Sequence, residues 1–70
     1  MEDFDKYLVA LGKRIRKLRR EKGVNQKLFS ANIGIDERHL RRVEKGKTNP
    51  TIESLYKIAK ELDLSLSELL

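Results

Sequence analysis

The sequence predicts an all-α fold of five short helices in one domain, and three observations carry that prediction. Apolar residues recur at spacings of three and four along most of the chain, the period of a helix with one buried face. Glycines at 23, 34 and 46 stand eleven and twelve residues apart, punctuating the chain at helix length. Residues suited to cap a new helix, Asn25, Asp36 and Thr51, follow those glycines.

In the first helix, Phe4, Leu8, Leu11, Ile15 and Leu18 draw one apolar stripe, Asp3 is the expected cap and Gly23 the stop. Acidic residues at its start and Arg19, Arg20 and Lys22 at its end suit the helix dipole. Gly12 interrupts the pattern. A mid-helix glycine costs about 1 kcal/mol relative to alanine, so residues 1–11 fray, form a separate turn, or use Gly12 for a close helix contact. Asn25 caps the second helix, whose apolar face is Phe29 and Ile33, and Gly34 can take the positive φ that ends it. Asp36 caps a third helix over 36–45, with Leu40 and Val43 inward and Gly46 as its close. Lys47-Thr48-Asn49-Pro50 reads as a loop, after which Thr51 caps a helix with Ile52, Leu55, Ile58, Ala59 and Leu62 on its inner face. Ser65 and Glu68 have capping-box spacing and open a last helix carrying Leu66, Leu69 and Leu70.

Seventy residues suffice for a single layer of helices around a small core. The chain has no cysteine and one histidine, which argues against disulfides, thiolate metal sites and metal clusters. Its longest apolar run, Leu8–Leu11, is far short of a membrane span, and the start Glu2-Asp3-Phe4-Asp5 is unlike a signal peptide. A cytoplasmic location is the expectation. No nucleophile or acid–base pair stands out, so an enzyme is not expected, nor is a cofactor or small-molecule ligand.

Net charge is +5, but its distribution is uneven: residues 1–12 carry −2, residues 50–70 carry −2, and residues 13–49 carry +9. A local field of that sign attracts polyanions, although a solvated basic face without a partner has the same composition. Within the basic block, two short helices joined by a glycine turn have helix-turn-helix spacing. At 100° per residue, Glu37, Arg38, Arg41, Arg42 and Lys45 share one side of the second of these helices, and Leu40, Val43 and Glu44 the other. If that helix enters a major groove, Arg38 and Arg42 are the leading candidates for base reading, because a guanidinium can grip guanine O6 and N7 together. Arg41 shares their face. Glu37 either accepts from cytosine N4 or holds Arg41 at i+4.

The pattern Asn25-Gln26, Phe29, Gly34, Leu40, Val43-Glu44-Lys45-Gly46, Asn49-Pro50, Leu55, Ile58-Ala59, Leu62, Leu66 and Leu69 resembles the Cro and phage-repressor (Xre-type) helix-turn-helix family over residues 13–70. The resemblance implies a compact five-helix lambda-repressor-like domain acting as a transcriptional regulator, usually a homodimer on a palindromic operator. Residues 1–12 extend beyond the family pattern. The resemblance further implies that Gln26 touches a phosphate or buttresses a recognition-helix side chain, and that Arg19 pairs with Glu44 to fix that helix. Asn25 would offer free amides to a phosphate. Lys45, Lys47, Thr48 and Asn49 would reach the DNA backbone, positioning the protein without reading sequence. His39, beside Val43, is either a packing residue with a polar tip or a further backbone contact.

Leu62, Leu64, Leu66, Leu69 and Leu70 are more leucine than a small domain easily hides at one end, so residues 62–70 are expected to form a dimer interface, the alternative being a capping helix with single exposed leucines. Double-stranded DNA and a second copy are thus the expected partners, with 25–45 as the helix-turn-helix unit. Repressor or autoregulator, restriction-modification controller, and antitoxin are alternatives within this class. Outside it stand a protein-interaction module using residues 51–70 and a membrane binder using the seven cations of residues 13–22.

Overall fold

The computed structural model describes residues 2–70, which form five helices in the order α1 (Glu2–Glu21), α2 (Gln26–Ile33), α3 (Glu37–Glu44), α4 (Ile52–Glu61) and α5 (Leu66–Leu69). Local chemistry sets most of the boundaries. Asn25 accepts from the Leu28 amide, Asp36 from Arg38, Thr51 from Ser54 and Ser65 from Glu68, each satisfying an orphan donor of a first turn. Gly34 ends α2 at φ 73°, a left-handed conformation that costs glycine nothing. Asp63 takes the same conformation after α4, at φ 60°, and its carboxylate receives Lys22 Nζ at 2.9 Å.

Around the centre, Ile15, Phe29, Leu40, Ile58 and Leu69 bring one fully buried side chain from each helix. Gly12 does not break α1. It stands where α1 crosses the end of α3, and a Cβ there would lie 2.5 Å from the Val43 carbonyl oxygen and 2.6 Å from that of Glu44. On the other side of the crossing, a Cβ on Gly46 would meet Val9 Cα at 2.6 Å. Two helix backbones therefore touch with no side chain between them. Of the three readings of Gly12, the close helix contact is the one the structure contains.

Several expectations need correction. Asp3 lies inside α1 and is not its cap, since the helix already includes Glu2. Phe4 stays 37% exposed, because residues 3–7 all face solvent and the stripe becomes core only at Leu8. Ile52 is 65% exposed: with Tyr56 at i+4, also exposed, it extends the apolar arc of α4 past the strip that the core covers. Leu62 and Leu69 were expected at a dimer interface, yet both are buried within the protomer, where α5 packs on α4 and closes the core. Leu64 and Leu66 are half-buried against that core, and only Leu70 of the five is exposed.

Candidate nucleic-acid interface

The sequence of α3 divides it into two faces. Leu40, Val43 and Glu44 are buried, while Arg38, Arg41 and Arg42 project into solvent and Lys45 follows them as the exposed C-cap. Asp36 holds the first turn by accepting from the Arg38 backbone amide at 3.2 Å, and the Arg38 side chain has no hydrogen-bond or ion-pair partner among the described residues. Glu37 Oε2 lies 3.9 Å from Arg41 Nη2, a loose exposed pair of small energetic weight. Arg42 Nη2 donates to the Lys47 carbonyl at 3.2 Å, tying α3 to the loop behind it. Three guanidinium groups thus share one helix face with one carboxylate among them, as electrostatic attraction to a phosphate-lined groove requires.

What holds this helix at a fixed angle is buried. Arg19 on α1 presents its planar fork to Glu44, donating from Nε to Oε2 at 2.7 Å and from Nη2 to Oε1 at 3.0 Å, and its Nη1 donates to the Val24 carbonyl at 2.8 Å. Both residues are 5% exposed, so water screens the pair little. Gln26 Nε2 donates to Glu44 Oε1 at 3.0 Å, so Gln26 buttresses α3 through Glu44. One carboxylate in α3 thereby receives donors from α1 and α2. No buried side-chain polar atom among the described residues lacks a partner.

The remaining backbone-contact candidates lie at three places. Lys47 and Asn49 are exposed and Thr48 is half-buried in the loop after α3, anchored by the buried ring of Pro50. Asn25 is exposed, but its side-chain oxygen is engaged as the α2 cap. His39 is half-buried at the border of the inner face. Two cations have structural roles that short-range patterns do not reveal. Arg14 donates to the carbonyls of Glu68 (2.8 Å) and Leu69 (3.1 Å), closing α5 onto α1, and Lys22 donates to the Glu61 carbonyl at 2.6 Å, capping α4.

No group of three His, Cys, Asp or Glu side chains that could hold a metal occurs among the described residues. No described helix is long and apolar enough to cross a membrane.

A family model described as helix-turn-helix (HTH_3) matches residues 15–69. The chain belongs to the helix-turn-helix family. A transcriptional regulator of this type from Sinorhizobium fredii is 39% identical over 59 residues, 84% of this chain and 77% of the relative. The control protein C.MunI of a Mycoplasma species is 37% identical over 62 residues, 87% of this chain and 84% of the relative. Among solved structures, the restriction-modification controller protein C.AhdI of Aeromonas hydrophila superposes with a TM-score of 0.89 at 34% identity, covering 93% of this chain and 98% of that one. By family, this helix-turn-helix protein is a DNA-binding transcriptional regulator and not an enzyme.

Proposed function

We propose that this helix-turn-helix protein is a sequence-specific regulator that lays α3 in the major groove of double-stranded DNA and acts as a cytoplasmic homodimer on a palindromic operator, as a repressor or autoregulator. The observation that carries this reading is the α3 surface: Arg38, Arg41 and Arg42 are exposed on a helix whose opposite face is locked by Arg19 and Gln26 through Glu44. Arg38 and Arg42 read bases, Arg41 and Glu37 sit beside them, and Lys45, Lys47, Thr48 and Asn49 set the register on phosphates. His39 and the α2 start at Asn25 are further backbone contacts. Gln26 acts through Glu44. Each bidentate arginine–guanine contact discriminates by about 1–3 kcal/mol.

Because Leu62 and Leu69 belong to the protomer core, the dimer surface moves outward to exposed Ile52, Tyr56 and Leu70 with half-buried Leu64 and Leu66. Two-fold pairing there sets the two recognition helices one DNA turn apart, about 34–36 Å. The similarity to C.MunI and C.AhdI, which covers nearly the whole chain, favours a role as a restriction-modification controller within this class.

Selection of bound sequences from a random duplex pool tests the reading in one experiment. A palindromic motif with half-sites one turn apart is expected, and Arg38→Ala or Arg42→Ala should flatten the preference without unfolding the chain. A selected pool with no motif, or full preference retained by both variants, would refute the assignment.

A further inference from the structure

One charged surface is absorbed neither by the fold nor by the reading face of α3. Lys13, Arg16, Lys17 and Arg20 stand at i, i+3, i+4 and i+7 on the solvent side of α1, and all four are exposed. Among the described residues none of them has an ion-pair or side-chain hydrogen-bond partner, in contrast to Arg14 and Arg19 on the same helix and Lys22 just after it, each of which is engaged. Among the described residues Glu21 is the one carboxylate that lines the shallow cleft along these four cations. Such a row repels itself unless an anion lies along it.

The stripe has a direction. Arg16 and Arg20 line an open cleft that continues to Gly23, Val24, Asn25 and Gln26 at the start of α2. Arg19 lies in the same cleft, but its guanidinium charge is balanced by Glu44, so the cleft's surplus charge is that of Arg16 and Arg20. The unpaired cations are thus continuous with the edge of the helix-turn-helix unit and do not lie on a separate side of the molecule. From Lys13 to Arg20 the helix rises about 10 Å, while one strand of a duplex presents a phosphate about every 3.4 Å of its axis. Arginine can hold a phosphate with two parallel bonds, a better match than lysine's point charge.

We infer that Arg16 and Arg20 are a lateral phosphate clamp for duplex flanking the half-site read by α3, with Lys13 and Lys17 adding to the same field. This rests on the DNA-binding reading above. The clamp supplies affinity and salt dependence but no base preference.

The test compares the wild-type chain with the Arg16→Gln/Arg20→Gln double variant on two duplexes carrying the selected motif, one trimmed to the motif and one with long flanks, at several salt concentrations. Both side chains are exposed and have no partner among the described residues, and an unchanged thermal midpoint by circular dichroism verifies that the variant is folded. On the long duplex the variant's log–log salt slope should be shallower by about 1.8, from about 0.9 per phosphate neutralised. Over a fourfold change in salt, the wild-type advantage then changes by about 12-fold on this slope. On the trimmed duplex the two proteins should bind alike, with the same motif ranking. Equal slopes on the long duplex overturn the clamp while leaving the DNA-binding reading intact. A wild-type chain that binds no duplex even at low salt overturns both. Vesicles containing phosphatidylserine provide the remaining arm: wild-type binding that the variant loses, with duplex affinity unchanged, would assign the stripe to a membrane surface and overturn the clamp.

Discussion

Removing Glu44 should affect this fold more than its size suggests. The Glu44→Ala change deletes an acceptor for two arginine bonds at 2.7 and 3.0 Å and one glutamine bond at 3.0 Å. The Arg19 guanidinium, 6% exposed at the side chain, then keeps only the Val24 carbonyl. Breaking a buried pair from one side costs about 3–5 kcal/mol, because an uncompensated charge stays behind. A domain of 70 residues holds about 3.5–10 kcal/mol in total, at about 0.05–0.15 per residue. The single change therefore removes a large part of the stability and leaves a weak protein of the same composition unfolded. Deleting both charges should be milder. In Arg19→Met/Glu44→Leu no ion remains in the core, and half-buried Gln26 can turn to water, so most of the loss returns. Urea denaturation of the wild type, Arg19→Met, Glu44→Leu and the double variant, with Glu44→Ala measured alongside, gives the coupling energy, expected at about 2–3 kcal/mol. A Glu44→Ala cost below about 1 kcal/mol, or a double variant no more stable than that single one, would refute the argument that burial makes the pair matter.

Other outcomes follow from features described above. Gly12→Ala should destabilise by about 1–3 kcal/mol despite the better helix propensity of alanine, since the added Cβ meets backbone oxygens that cannot move aside; a higher thermal midpoint would disprove the close crossing. In the α5 capping box, the Ser65 backbone amide and then its hydroxyl hold the Glu68 carboxyl below the ordinary glutamate value. A lowered folded-state value means the stabilisation is present above the unfolded-state pKa and is lost as pH falls through the folded one. Carbon-detected NMR titration should place Glu68 below the ordinary glutamate value, and Ser65→Ala should return it only part of the way, because the amide still donates. A full return would leave the hydroxyl as the only cause.

The sequence made the helix starts easiest to see, for a physical reason. A cap such as Asn25 or Ser65 acts within three residues of itself, so its evidence and its effect lie in the same stretch of chain. Arg14 and Lys22 close helices 39 to 55 residues away, and nothing local distinguishes them from the cations of α1 that have no partner among the described residues. Ile52 and Leu69 show the same limit for apolar residues. Helical period says which residues share a face, but how wide a strip of that face the neighbours cover is a tertiary fact. Gly12 illustrates a signal present yet ambiguous, since only the position of α3 separates a weak point in a helix from a crossing. The exposed face of α3 followed from period alone, and the route by which Gln26 supports it came from the structure.

The two faces of α3 have different freedom to change over evolutionary time. Leu40, Val43 and Glu44 are packed in the core or bonded to α1 and α2, whereas among the described residues Arg38 carries no side-chain bond to the rest of the protein and Glu37 and Arg41 bond only loosely to each other. Substitutions at 37, 38 and 41 can therefore alter the outer face without disturbing the core, so a lineage of such proteins can acquire a new surface chemistry while inheriting the scaffold intact. Arg42 is less free, because replacing it also releases the loop at Lys47. Divergence among descendants should begin at the first three positions and reach the fourth later.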